Sequence, residues 1–133
     1  GGRIGVLVEV NCETDFVAKT DDFQAMARDL AMHVAASNPR YVRSEEIPTA
    51  DLEREKEIYR SQLIAEKKPE KIWDKIIEGK LNKYYEEVCL LNQKFIKNTD
   101  ITVGTLVTNM MAKTGENIIV RRFARFQLGE ELG

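Results

Sequence analysis

The amino-acid sequence predicts an α+β fold, in which a small antiparallel sheet packs against several helices, with a helical protrusion. Its 133 residues, of which 43% are hydrophobic and 32% charged, suit a single globular domain with its own core. Two strand patterns lie near opposite ends of the chain, at residues 4–10 and 118–126, with five helical patterns between them. Two strands are too few for a series of βαβ crossovers, which excludes a long parallel sheet.

The first strand and the first helix have clear signals. In residues 4–10, isoleucine and valines alternate with other side chains, so one face of the strand is apolar. Thr20 begins a helix whose first turn carries two aspartates, which interact favourably with the positive end of the helix dipole. Asn38-Pro39 ends this helix at about Ser37.

The middle of the chain predicts three further helices. One runs from Pro48-Thr49 to about Glu66, with Thr49 as its N-cap. Pro69 suits the first residue of the next, because the N–H that proline lacks has no helical partner there. Gly79 is expected to break or kink that helix, since glycine costs roughly 1 kcal/mol relative to alanine in a helix interior. Another helix follows it.

The last third of the chain combines an irregular stretch, a short helix and a strand. Residues 92–99 show no regular pattern. Thr102 is expected to cap the helix, and Gly115 to end it. Residues 118–126 are rich in β-branched and aromatic side chains, which favours a strand.

The chain starts on a glycine-rich turn and enters its first strand at once. This start indicates a hairpin cut between its strands, so we expect a preceding strand to be missing. Residues 1–133 are therefore interpreted as one core domain, truncated at its N-terminus. The exposed strand edge would then need a cover, from this chain or from another.

Composition argues against several classes of partner. The net charge of −2, from 20 basic and 22 acidic residues, does not favour a general affinity for nucleic acid. No apolar run approaches the roughly 20 residues that span a bilayer, so no membrane partner is expected. Cys12 and Cys89 lie too far apart for a metal-ligand motif, and we expect two reduced thiols in a cytoplasmic protein.

The sequence contains no recognisable catalytic constellation. His33 is the only histidine, and its place among apolar residues of a helix favours a structural or surface role. Neither cysteine has a histidine close in sequence to activate it. Glycine-rich nucleotide-binding motifs are also absent. We therefore expect a protein that acts by binding, without enzyme activity, cofactor or metal.

Residues 121–126 (RRFARF) interleave arginines with aromatic rings on a strand. Such a surface can stack on and pair with nucleic acid, here through Arg121, Arg122 and Arg125. In the alternative interpretation, the phenylalanines face the core and the arginines pair with nearby acids. The negative net charge favours this alternative.

Residues 11–17 (NCETDFV) join the first strand to the first helix and are not typical loop residues. In a purely local interpretation, Thr14 or Asp15 bonds to backbone amides and Phe16 tucks under the following helix. In a functional interpretation, Asp15 and Phe16 project from a rigid corner. An acid beside an aromatic ring is a compact probe, with one charge for a polar site and one ring for a pocket.

At this corner the sequence resembles a known family. Residues 8–19 (VEVNCETDFVAK) closely resemble the signature of bacterial elongation factor Ts. Three other stretches resemble the same family, in the same order along the chain: residues 26–39, 78–85 and 114–123. A match of twelve residues with three supporting blocks is far more specific than a short motif.

The resemblance implies a nucleotide exchange factor for elongation factor Tu, the GTPase that delivers aminoacyl-tRNA to the ribosome. In the family, a Thr-Asp-Phe-Val segment enters the GTPase domain and helps dislodge the bound magnesium. The corresponding residues here are Thr14, Asp15, Phe16 and Val17.

The chain also departs from the longer members of that family. Full-length members begin with a small helical domain, similar to ubiquitin-associated domains, that also contacts the GTPase. The region between Asn38 and Leu91 is short, as in compact members with one core repeat, and this resemblance predicts a homodimer. Two other hypotheses stay open: an RNA- or ribosome-binding module, and a structural core without activity of its own.

Overall fold

The structure is a computed structural model that describes residues 1–132. In this part of the chain, no helix is both long and apolar enough to cross a membrane. The elements, in chain order, are β1 (Ile4–Asn11), α1 (Asp15–Ala18), α2 (Asp21–Ser37), α3 (Thr49–Ala65), α4 (Trp73–Val88), β2 (Lys94–Phe95), β3 (Asn98–Thr102), α5 (Val103–Thr114) and β4 (Ile119–Gln127). This order confirms the predicted α+β class.

The main sheet joins the two ends of the chain. β1 and β4 pair antiparallel, from Ile4 opposite Gln127 to Asn11 opposite Ile119. The register shifts between Glu9 and Val10, where β4 contributes one extra residue. Both strands were predicted to within one residue at each end, because their β-branched and alternating side chains are unambiguous.

Helix α2 covers the inner face of this sheet. Its first turn is fixed by Thr20, whose hydroxyl accepts a hydrogen bond from the Phe23 amide at 3.2 Å. It ends at Asn38, which adopts the left-handed conformation (φ 46°). The apolar face of the helix joins the main core, whose buried residues are Val17, Phe23, Met26, Leu30, Val34, Val42, Leu90, Phe95, Val103, Val107, Ile118 and Val120.

Helices α3 and α4 form a hairpin that corresponds to the predicted protrusion. They have their own hydrophobic cluster around Tyr59, Leu63 and Ile77, separate from the main core. The prediction of a break at Gly79 is wrong, because α4 runs without interruption from Trp73 to Val88. Apolar residues on both sides of the glycine pack into the hairpin cluster, and this packing offsets the roughly 1 kcal/mol cost of glycine.

The two prolines in this region lie outside the helices that they introduce. Thr49, predicted as N-cap, is instead the first residue of α3, and Pro48 takes the cap position with its carbonyl accepting from the Asp51 amide. Pro69 was predicted to begin a helix but precedes a 3-10 turn, and α4 starts only at Trp73. Both prolines have extended backbones (ψ 138° and 137°), which their fixed φ permits equally well.

A small hairpin, β2 and β3, replaces the irregular stretch predicted for residues 92–99. Lys94 pairs with Thr102, and Phe95 pairs with Asn98. Strands this short carry no alternation pattern, and the hairpin depends on Phe95, which is buried in the main core. The predicted helix after it is confirmed, because Thr102 caps α5 and Gly115 ends it with φ at 72°.

Candidate functional site

The corner at residues 11–17 leads from the end of β1 into α1, a single helical turn. Thr14 is the N-cap of this turn, with an extended backbone and a hydroxyl that accepts from the Val17 amide at 3.4 Å. Its carbonyl accepts from the Ala18 amide at 3.2 Å, and the Asp15 carbonyl accepts from the Lys19 amide at 3.0 Å. The local interpretation is therefore correct for Thr14, which does cap the turn.

Neighbouring residues of α1 point in opposite directions. Val17 is only 9% exposed and packs into the main core. Phe16 is 87% exposed, and Asp15 beside it is also exposed. The interpretation that Phe16 tucks under α2 is therefore wrong. The corner presents an acid and an aromatic ring to solvent while the next residue fixes the turn to the protein.

A second connection holds the corner to the segment between α5 and β4. Glu116 Oε1 accepts hydrogen bonds from the amides of Glu13 (3.0 Å) and Thr14 (3.1 Å). Its Oε2 accepts from the Thr14 hydroxyl at 2.5 Å. In return, Glu13 Oε2 accepts from the Asn117 amide at 3.0 Å. The bond from the Thr14 hydroxyl, followed by those from the two amides, lowers the pKa of the Glu116 carboxyl.

Glu116 was not identified from the sequence. It belongs to one of the stretches that resemble elongation factor Ts, but nothing in its local pattern shows a contact with a residue about a hundred positions away. The only local hint is its place directly after Gly115, in a turn that ends a helix.

The arginine-rich strand β4 largely fits the non-functional interpretation, in which the phenylalanines face the core and the arginines pair with nearby acids. Arg121 and Arg122 both pair with Glu9, at 3.2 Å and 2.9 Å. Arg125 donates to the Ala35 carbonyl at the end of α2. Hydrogen bonds from Asn11, then from Arg122, lower the pKa of Glu9. All three guanidinium groups thus have partners within the chain, which weakens the case for an RNA surface.

The two phenylalanines of this segment differ in burial. Phe123 packs against the main core, as the non-functional interpretation predicts. Phe126 does not, because it is 62% exposed on the outer face of the sheet.

The lone histidine and the two thiols have structural environments. His33 is fully buried, with Nε2 2.8 Å from Gln93 Oε1 and Nδ1 accepting from the Ile96 amide at 3.3 Å. Both cysteines are free. Burial, followed by the charges of Glu46 and Glu45, raises the pKa of Cys89 to about 11, which leaves it a protonated, unreactive thiol at neutral pH. Residues 1–132 contain no group of three or more metal-binding side chains.

Comparison with known proteins supports the family resemblance of the sequence. The family model described as Elongation factor TS matches residues 1–130. An elongation factor Ts of Syntrophus aciditrophicus is 79% identical over 132 residues, which are 99% of this chain and 66% of that protein. Those of Heliobacterium modesticaldum and Geobacter sulfurreducens are 63% and 59% identical over 132 residues.

The aligned part is shorter than these relatives. It covers 99% of this chain but only 61% of both the Heliobacterium and the Geobacter proteins. The chain therefore spans about three fifths to two thirds of the length of the curated relatives that it matches. Since the family model covers nearly every residue and the identities are high, this chain belongs to the elongation factor Ts family.

Proposed function

We propose that this chain is a guanine nucleotide exchange factor that binds elongation factor Tu and promotes release of GDP in translation elongation, in the cytoplasm. The observation that carries the proposal is the exposure of Phe16, at 87%, on a corner that its neighbours hold in place. An aromatic ring left in water by an otherwise well-packed segment suits insertion into a partner. The chain makes and breaks no covalent bond in this role, so it needs no catalytic residue.

In the proposed mechanism, Phe16 and Asp15 act together on the nucleotide site of the GTPase. Magnesium bridges the nucleotide phosphates and protein ligands, and so contributes to the hold on GDP. The Phe16 ring acts as a wedge that shifts elements supporting the ion. The Asp15 carboxylate competes for groups near the ion, and the magnesium is displaced.

Thr14 and Val17 have a different role, which is to keep the wedge rigid. Thr14 caps the turn that carries Phe16, and Val17 anchors the same turn in the main core. Rigidity matters because a mobile probe would lose conformational entropy on insertion, which would reduce the energy available to displace the ion. The factor must also bind the nucleotide-free GTPase more tightly than the loaded one, and by linkage nucleotide weakens its binding by the same factor.

The proposal is tested by the release of fluorescent mant-GDP from elongation factor Tu. Phe16→Ala should lower the maximal stimulated release rate by about tenfold or more, which corresponds to about 1.4 kcal/mol of lost interaction in the exchange step. Ile64→Ala is a matched control, since Ile64 is an exposed apolar residue on α3, 63% accessible. Unchanged release from a well-folded Phe16→Ala variant would remove Phe16 from the mechanism.

The same assay separates this proposal from the two other hypotheses. It is run with the chain alone and with the small N-terminal helical domain that the family resemblance implies. Stimulation by the chain alone supports the proposal, and stimulation only by the added domain supports a structural core. An RNA-binding module would instead give steeply salt-dependent RNA affinity and no effect on GDP release.

A second copy of the chain is our proposed partner for the outer face of the sheet. Leu7 and Phe126 lie on this face and are 73% and 62% exposed. Helix α2 covers only the inner face, and β1 pairs with β4 on one edge. A homodimer would remove these apolar side chains from water.

A size measurement across the micromolar range tests the homodimer. Sedimentation should show a concentration-dependent shift from monomer to dimer, and Phe126→Ser should weaken it. A strict monomer at every concentration would overturn this proposal without affecting the one on nucleotide exchange.

A further inference from the structure

We propose that Glu116 is a positioning residue for nucleotide exchange, which fixes the direction in which Asp15 and Phe16 leave the protein surface. The inference rests on the proposed function and extends it to a residue that acts through the segment carrying Asp15 and Phe16. It is carried by the contacts of one carboxylate, which accepts three hydrogen bonds from the two residues immediately before Asp15.

The contacts restrain both the backbone and the side chain of the cap. The amides of Glu13 and Thr14 are held at 3.0 Å and 3.1 Å by a single oxygen, which restricts rotation of the peptide planes leading into α1. The Thr14 hydroxyl donates its proton to Glu116, so its oxygen is left free to accept from the Val17 amide. The orientation of the cap is therefore set from outside the turn.

Helix α1 requires such an external restraint. It has four residues, far fewer than the roughly 12 to 15 at which an isolated helix becomes marginally stable in water. Val17 is its one buried residue, and the Thr20 hydroxyl holds the C-terminal end of the turn by donating to the Val17 carbonyl at 2.7 Å. The N-terminal end, which carries Asp15 and Phe16, is held by the hydrogen bonds that residues 13 and 14 donate to Glu116.

The restraint is itself anchored at a fixed place in the fold. Gly115 ends α5 in the left-handed conformation, and β4 begins at Ile119, so Glu116 lies in a short link between two regular elements. The Glu116 amide donates to the Thr114 hydroxyl at 3.3 Å. The reciprocal bond from the Asn117 amide to Glu13 closes the connection from the other side, at 3.0 Å. Hydrogen bonds therefore run in both directions between the corner and the link, with Glu116 as acceptor on one side and Glu13 on the other.

The chemistry of these contacts predicts which substitutions preserve function. Glutamine at position 116 retains one oxygen for the two amides, and its NH2 group can donate to the Thr14 hydroxyl. Alanine retains none of these contacts, and aspartate is one methylene too short to reach all three donors. We therefore expect the order of activity to be wild type, then Glu116→Gln, then Glu116→Asp and Glu116→Ala.

The test measures stimulated mant-GDP release from elongation factor Tu as a function of the concentration of the chain. Glu116→Ala should lower the maximal rate about tenfold, because a misplacement of about 1 Å can reduce a rate by up to about a hundredfold. Glu116→Gln should stay within about threefold of wild type. Glu78→Ala, at an exposed position of α4, is the matched control and should leave the rate unchanged.

Two readouts distinguish positioning from a general loss of folded protein. Partial unfolding reduces the active concentration, so it raises the half-saturating concentration and leaves the maximal rate intact, whereas mispositioning lowers the maximal rate itself. In a Phe16→Ala background, Glu116→Ala should cause little further loss, because the residue acts through the segment that carries Phe16.

Each outcome decides between the claims. If the wild-type chain stimulates release and Glu116→Ala reaches the same maximal rate, the inference is wrong. The proposed function is unaffected by that result. Equal losses from Glu116→Ala in the presence and absence of Phe16 also overturn it, because the residue then acts elsewhere. A wild-type chain that gives no stimulation overturns the proposed function and this inference with it.

Discussion

The strand–helix corner and the α3–α4 hairpin are both surface features, but the contacts that hold them differ in range. The corner is bonded to residues 102 to 104 positions away in sequence, through Glu116 and Asn117. The outer part of the hairpin relies on its own hydrophobic cluster and on ion pairs between residues three apart, such as Arg54 with Asp51. Its base is tied to the rest of the fold, because the amides of Arg40 and Tyr41 donate to the Val88 carbonyl. We therefore expect the outer part of the hairpin to open without disturbing the corner, which depends on contacts between the two ends of the chain.

The largest effects are expected from leucine-to-alanine substitutions that separate the two regions. Leu30 in the main core and Leu63 in the hairpin are 0% and 1% exposed, so each substitution should cost about 2 to 5 kcal/mol. Leu30→Ala should lower the global free energy of unfolding and, with it, protection of the corner. Leu63→Ala should reduce amide protection mainly in α3 and α4.

Hydrogen exchange and urea unfolding provide the measurements. Leu63→Ala should retain stimulated GDP release at temperatures where α3 and α4 already exchange rapidly. Loss of that stimulation, with the main core still protected, would contradict the independence of the two regions.

An intermediate effect is expected within the corner itself. Val17→Ala removes two buried methyl groups and should cost about 2 kcal/mol of unfolding free energy. Phe16→Ala next to it should change the same quantity by no more than about 0.5 kcal/mol, because its ring is already in water. Equal destabilisation by the two substitutions in urea titrations would show that Phe16 is packed in the folded protein.

The smallest effect expected at neutral pH concerns His33, which links α2 to the β2–β3 hairpin. Burial lowers its pKa, opposed in part by the bond to Gln93. The unfolded chain therefore binds the proton first, and stability that is complete above pH 6.5 should fall as the pH drops below that value. Urea titrations at pH 8, 6.5 and 5.5 measure the change.

His33 is the group expected to cause the change in stability between pH 6.5 and 5.5. The chain has a single histidine, and the carboxylates with lowered pKa, Glu9 and Glu116, lose their contribution only below their ordinary value of 4.5. His33→Gln should abolish the slope between pH 6.5 and 5.5. A slope that persists in this variant would place the titrating group elsewhere.

What the sequence could predict depends on whether the determining contacts are local. The start of α2 at Thr20, the N-cap Thr102 and the end of α5 at Gly115 were all predicted correctly, because each is set by a few neighbouring residues. Gly79 was misjudged because the packing of α4 against α3 outweighs its low helix propensity. The β2–β3 hairpin was also missed because tertiary packing decides it: the hairpin depends on the burial of Phe95 in the main core.

In the candidate site, too, local contacts were predictable from the sequence and long-range contacts were not. Its residues were identified by resemblance to a family, while the local pattern alone slightly favoured the interpretation in which Phe16 tucks under the following helix. The structure shows an exposed ring, because Val17 and not Phe16 occupies the space against the main core. Glu116 was beyond reach of the sequence, because only the pairing of β1 with β4 brings it to the corner.

The bond between Glu116 and the corner also has a consequence for timing during synthesis. Glu13 leaves the ribosome 103 residues before its partner, and closing a loop of that length costs on the order of 4 kcal/mol in chain entropy. Residues 13–17 lack the carboxylate until Glu116 has emerged, and they lack the paired strand until β4 has followed it. The surface that we propose for elongation factor Tu is therefore completed late, so a nascent chain offers its partner no finished wedge.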